Sequence, residues 1–121
     1  MSKPQEIVAD FFRAIAERDF EQVRACLSDG RFVSRSPVST FDNADAFVND
    51  IARVGPILEG VQTRKMFVDG NDVCAIVEYI TRMDQRQVTP VVHLMRIEGN
   101  KIASVETFFD ARAYAEMFEV E

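Results

Sequence analysis

The sequence predicts an α+β domain in which three helices near the N-terminus cover one face of a curved antiparallel sheet. Three observations predict it. Apolar residues recur at three- and four-residue steps as far as Val54, and from Val61 onward they alternate at a period of two. The alternating segments are separated by "DGND", "DQRQ" and "EGN", clusters of the kind that close hairpins. Helices grouped early and strands grouped late are the pattern of segregated helix and sheet layers.

Each element follows from local chemistry. Between Pro4 and Arg18, Ile7, Val8, Phe11, Phe12 and Ile15 form a broad apolar stripe, and Pro4 sits where an early-turn proline is tolerated. Asp19 can cap a second, short helix with Phe20, Val23 and Leu27 on one face, ended by "SDG" at Ser28 to Gly30. A strand, "RFVSRSP", is stopped by Pro37. A third helix in "FDNADAFVNDIARVG" has Asp42 or Asn43 as its cap, Phe47, Val48, Ile51 and Val54 on one side, and Gly55-Pro56 as its terminator. Four strands are expected at Val61–Val68, Val73–Met83, Val88–Ile97 and Lys101–Phe109, rich in Val, Ile, Thr and aromatic residues. A short terminal helix is expected over "DARAYAEMF".

Alternation sorts the strand residues into faces. Val73, Ala75, Val77, Tyr79 and Thr81 share the more apolar parity of the second long strand and are expected inside. The last strand then turns Ala103, Val105, Thr107 and Phe109 inward, and the first strand turns Phe32, Ser34 and Ser36 inward. In "TPVVHLMRI" the only histidine, His93, shares its face with Val91, Met95 and Ile97. An ionisable ring thus projects into an apolar interior, beside Tyr79, Thr107 and the serines of the first strand.

A chain of 121 residues with 47% hydrophobic and 28% charged residues suits one globular domain, 1–121. Its net charge of −6 would on average repel a phosphate backbone, so nucleic acid is not an expected partner. Charges at Lys3, Glu6, Asp10 and Arg13 interrupt any apolar leader, and no run approaches the ~20 apolar residues of a membrane span. A cytoplasmic protein without membrane association is the expectation. Cys26 and Cys74 lack metal-site or redox spacing and are expected to be small hydrophobes. One histidine without inward carboxylates does not supply a catalytic zinc site, and no glycine-rich phosphate loop is present, so neither metal nor cofactor is expected.

The order helix, helix, strand, helix, four strands, with "FFRAIAERDFEQVRACLSDG" and "HLMRIEGNKIASVETFFD", resembles the nuclear transport factor 2-like superfamily over nearly the whole chain. It looks most like the SnoaL-like branch, which includes polyketide cyclases, and is also similar to ketosteroid isomerases and limonene epoxide hydrolases. The resemblance implies a cone-shaped α+β barrel whose strongly curved antiparallel sheet carries the three N-terminal helices on its concave face. It also implies a deep pocket for a small apolar molecule and a homodimer through the outer sheet face.

The family's catalytic positions do not carry over intact. Where ketosteroid isomerases have a tyrosine, an aspartate base and a protonated acid, this sequence has Phe11, Ser36 and His93. His93 matches the SnoaL-like histidine, but the aspartate base expected fourteen residues later is Thr107. The epoxide hydrolase acid aligned with that position is missing for the same reason.

Two function classes stay open. One is a cyclase, isomerase or hydratase on a small apolar oxygenated substrate, with His93 as acid–base group. The other is a noncatalytic module, either binding a small ligand that the same groups only orient or docking a partner as a dimer; separately, His93 can be read as a core histidine satisfied by one hydrogen bond. The expected pocket joins Phe11 and Phe47 from the helices to Phe32, Ser34 and Ser36 from the first strand. Val77, Tyr79, Val91, Met95, Val105, Thr107 and Phe109 complete it from the sheet. Asp110 is a reserve base, although its place before a helical segment suits a cap. Cys74, Ile76, Ile80, Val92, Leu94 and Phe108 are left on the outer face, enough apolar surface to favour a twofold dimer.

Overall fold

The computed structural model describes residues 3–112. Helix α1 (Pro4–Ala16) starts on Lys3, whose backbone N–H donates to the Glu6 carboxylate at 2.8 Å, and it buries the expected stripe together with Ala14. Helix α2 (Phe20–Ala25) is capped by the Asp19 side chain, which accepts from the Gln22 N–H. Helix α3 (Ala44–Ala52) is capped by Asn43 accepting from the Ala46 N–H, which decides between the two candidate caps. A 3-10 turn at Gly55–Ile57 follows it.

The strands are β1 (Val33–Arg35), β2 (Thr40–Phe41), β3 (Leu58–Asp69), β4 (Asp72–Arg82), β5 (Arg86–Glu98) and β6 (Lys101–Phe108). They form one sheet in the order β2-β1-β6-β5-β4-β3. The four long strands are an antiparallel meander, as the alternation predicts. Two features depart from that prediction. Strand β1 joins β6 in parallel, and β2 is an additional two-residue strand that pairs with it. Neither is long enough to leave a periodic signal. The sheet is open, with β2 and β3 at its edges, so the expected barrel is a strongly curved sheet rather than a closed one. Register shifts at Leu58/Gly60 and Thr63/Lys65 in β3 and at Arg96/Ile97 in β5 interrupt the pairing, and such bulges bend a sheet.

The β5–β6 bulge has a further effect. Glu98 faces Lys101 and Ile97 faces Ile102, but Arg96 already faces Ser104, so Ala103 is the extra residue. The bulge resets the alternation, which is why Ile102 is fully buried beside an inward Val105. It also sets Thr107, not Glu106, opposite His93. The turn that makes this hairpin possible, Gly99-Asn100, has both residues at positive φ, 57° and 64°, a backbone open to Gly and Asn at low cost.

Helix α1 packs against β3, β4 and β6, and α2 and α3 extend the helical layer. Arg18, at φ 57°, ties the layer to the sheet: its guanidinium donates to the carbonyls of Gly55, at 2.8 Å, and Leu58. The core between the layers contains Val8, Phe11, Leu27, Val73, Met95, Ile102 and Val105. Cys26 and Cys74 are free thiols. Among the described residues no helix is long and apolar enough to cross a membrane. The expected terminal helix over 110–118 falls largely outside the described residues.

Candidate functional site

The concave face of the sheet holds a cavity of about 200 Å³. Nine of the expected pocket residues line it: Phe11 and Phe47 from the helices, Ser34 and Ser36 around β1, and Tyr79, Val91, His93, Thr107 and Phe109 from the meander. Phe32, Val77, Met95 and Val105 do not. They point inward as alternation predicts but are buried in the packed core, with the Phe32 ring against Phe47 at 5.3 Å between centroids. The helical layer fills that part of the concave face, so an inward parity alone does not make a pocket residue.

His93 is 6% exposed and bonded at both nitrogens. Its Nε2 lies 2.8 Å from the Tyr79 hydroxyl and its Nδ1 lies 2.9 Å from Thr107 Oγ1. Phe12 covers the ring at 5.3 Å, and Tyr79 meets it edge-on at 5.8 Å. Ala75 is the residue opposite His93 on β4, and Tyr79 reaches the imidazole from four positions further along the same face of that strand. The His93–Thr107 contact is cross-strand and rests on the Ala103 bulge.

Burial controls the protonation of this triplet. Desolvation pushes the His93 pKa down to about 3 and raises that of the Tyr79 phenol, so at neutral pH the imidazole and the phenol are both uncharged. Counting protons then gives a definite result. A neutral Tyr, His and Thr carry three N–H and O–H protons, and the two links use two of them. One hydroxyl proton is left over. It belongs to Tyr79 if Thr107 donates to Nδ1, and to Thr107 if Tyr79 donates to Nε2. Both residues line the cavity, so in either tautomer the triplet keeps one hydroxyl proton to spare on a residue of the cavity wall.

Other polar groups take different parts. Ser36 Oγ accepts from the backbone N–H groups of Val38 and Ser39, at 3.3 and 3.1 Å, so it shapes the turn at the pocket rim. Ser34 is buried on β1 and lines the cavity, as do Thr81 and Thr89. Asp110 is exposed and accepts from the Arg112 backbone and side chain, which hold its carboxyl below the usual range. It is not among the lining residues and stands as a local cap. Among the described residues no three His, Cys, Asp or Glu side chains gather where they could share a metal ion.

The sequence reasoning missed part of the wall: Ile15, Val38, Ser39, Phe41, Asp50, Ile51, Val54, Leu58, Thr81 and Thr89. A usable signal existed for Ile51 and Val54, which share the apolar period of Phe47, and for Thr89, which shares the parity of His93. Phe41 and the Ser36–Ser39 turn had none, because β2 spans two residues and the turn is held by side-chain bonds. Asp50 was passed over because a charge on a helix is expected to face water.

Comparison with known proteins agrees with this architecture. A family model described as a SnoaL-like domain matches residues 8–105. No curated protein sequence matches the chain at a significant level. Among solved structures, an NTF2-like protein of unknown function from Cytophaga hutchinsonii superposes with a TM-score of 0.82 at 22% identity, covering 94% of this chain and 96% of that one. An NTF2-like protein of unknown function from Burkholderia pseudomallei gives 0.83 at 17% identity, covering 99% and 100%. An LEH-like epoxide hydrolase from M. tuberculosis gives 0.75 at 18% identity, covering 95% of each chain. At these identities the likeness is one of fold.

Proposed function

Because the chain belongs to the family of SnoaL-like domains, we propose that it takes one compact, largely apolar molecule into the concave pocket and holds an oxygen of that molecule on the Tyr79–His93–Thr107 triplet. The observation that carries this reading is the doubly bonded, neutral imidazole with one hydroxyl proton left over at a cavity wall. A cavity of about 200 Å³ is larger than the ~150 Å³ that accepts a benzene ring and smaller than the ~300 Å³ typical of drug-sized ligands. A single-ring molecule is the matching size. An interior filled by side chains would instead favour a pure interaction module, and the cavity argues against that.

In an enzyme of the cyclase, isomerase or hydratase kind, such a donor would stabilise charge developing on a substrate oxygen. His93 would act through its neighbours. An imidazole whose conjugate acid has a pKa of about 3 is a weak base for taking a proton from carbon, so its part is positional: the tautomer it holds sets whether Tyr79 or Thr107 keeps a hydroxyl proton free for the ligand. In this reading the acid–base role expected for His93 gives way to positioning.

The test is ligand-dependent thermal stabilisation with a panel of single-ring ketones and their hydrocarbon counterparts. Wild type should bind the ketones more tightly, and Tyr79→Phe should reduce that advantage by about tenfold, the worth of one hydrogen bond in a desolvated site. Equal affinity for ketone and hydrocarbon in the wild type would contradict the reading.

The outer sheet face supports a second element of the proposal, a twofold dimer. Leu94 and Phe108 are 41% and 50% exposed there, with Ile76, Ile80 and Val92 half-buried beside them. Sedimentation at micromolar concentration should give twice the chain mass, and Leu94→Lys should shift it toward the monomer. A monomeric wild type would remove this element while leaving the pocket reading intact.

A further inference from the structure

The triplet accounts for one pole of the pocket, and α3 supplies another. Phe47, Asp50 and Ile51 stand at positions i, i+3 and i+4 of α3, hence on one face, and all three line the cavity. Asp50 is the single Asp, Glu, Lys or Arg among the described residues that line the cavity, and burial keeps His93 uncharged. The Asp50 side chain is only 34% exposed, and its Oδ1 meets Arg53 Nη2 at 2.9 Å. The Arg53 side chain is 61% exposed, so water screens that pair. Aromatic rings gather beside this face: Phe41 and Phe11 approach Phe47 at 6.2 and 6.5 Å between ring centroids, and Phe109 lines the same cavity.

This combination discriminates by charge. A wall that carries, among the described residues, several rings, one negative side chain and no positive one disfavours carboxylates and phosphates, while ring faces and a carboxylate both attract a cation. The net charge of −6 acts in the same direction at longer range. A neutral ligand would strip water from the half-buried Asp50 carboxylate without replacing it, whereas an ammonium group would compensate the charge it desolvates.

We infer that the pocket selects a compact amine, seated with its ammonium group at the Asp50 carboxylate and its carbon skeleton against Phe11, Phe41 and Phe47. The inference rests on the small-molecule reading above and names the chemical class of its ligand. An amine that also bears a hydroxyl or carbonyl oxygen would engage both Asp50 and the triplet.

Three probes of one size test it: benzylamine, benzyl alcohol and benzoate, titrated at pH 7 and fixed ionic strength by calorimetry and thermal shift. Benzylamine should bind wild type at least about tenfold more tightly than benzyl alcohol, and benzoate should not saturate. Asp50→Asn, which keeps the shape of the side chain, should erase the amine's advantage and leave benzyl alcohol within about twofold of wild type. An amine no tighter than the alcohol in wild type, a comparison that needs no variant, overturns the inference. So does an advantage that survives Asp50→Asn. Benzyl alcohol binding without an amine preference sinks the Asp50 assignment alone, whereas failure of all three probes sinks the small-molecule reading with it.

Discussion

Acidification from pH 6.5 to 4.5 should destabilise the wild-type protein by about 2–3 kcal/mol through His93 alone. The sign follows from the two states. In the unfolded chain the imidazole has its ordinary pKa of 6.5, and in the folded protein burial pushes it down to about 3. Between those values the unfolded state holds one more proton than the folded state. Stability contributed by the neutral ring is therefore complete above pH 6.5 and declines by about 1.4 kcal/mol per pH unit as pH falls toward 3. His93→Gln keeps a donor and an acceptor in the site but does not titrate. Urea unfolding of the two proteins across this range isolates the effect, because the carboxylates are common to both. A His93→Gln variant with the same pH slope as wild type would contradict a desolvated imidazole.

The second large effect lies where core and pocket meet. Phe11 is 1% exposed, packs edge-on against Phe12 at 5.3 Å and parallel to Phe47 at 6.5 Å, and also lines the cavity. Phe11→Ala should cost about 3–5 kcal/mol, the transfer free energy of the ring plus the enlarged void. Phe108→Ala, at a ring 50% exposed on the outer face, should cost under about 1 kcal/mol in the isolated chain. Denaturant midpoints at unchanged m-value measure both. The same Phe11→Ala variant should admit ligands one ring larger than wild type does, since the new volume opens onto the existing pocket. Equal costs for the two substitutions would mean that the helical layer does not seal the sheet at Phe11.

The strands were legible because side-chain period is a local property. Val73, Ala75 and Val77 on one parity of β4, and His93 and Met95 on one parity of β5, are buried as alternation predicts. The three helices were legible from the spacing of Phe11, Phe12 and Ile15, of Phe20 and Val23, and of Phe47 and Val48. What could not be read was register. A hairpin closed by Gly99-Asn100 without a bulge would set Glu106 opposite His93, and the extra residue Ala103 puts Thr107 there instead. The alternation of Val105, Thr107 and Phe109 already sets Thr107 on the inner face; what has no local sign is where the extra residue enters so that this face and the tight turn agree. The parallel β1–β6 pairing escaped because its partner is distant in sequence, and β2 escaped because two residues beside β1 leave no period.

The site was legible in identity and not in character. His93, Tyr79 and Thr107 could be assigned to one face, but the depth of burial that keeps the His93 ring neutral comes from Phe12 and the helical layer above it. Asp50 illustrates the converse. Helical periodicity placed Phe47 and Ile51 inward, and a residue between them at i+3 shares their face whatever its polarity.

Because His93 is the only histidine, its ring nitrogens give a single set of imidazole signals, and a pH titration of the ¹⁵N-labelled protein followed by NMR measures the central claim directly. One protonated and one unprotonated ring nitrogen, unchanged from pH 8 down to the onset of unfolding, is the expected result. A midpoint near 6.5 in the folded protein, with both nitrogens protonated below it, would place the ring in contact with water and remove the neutral triplet.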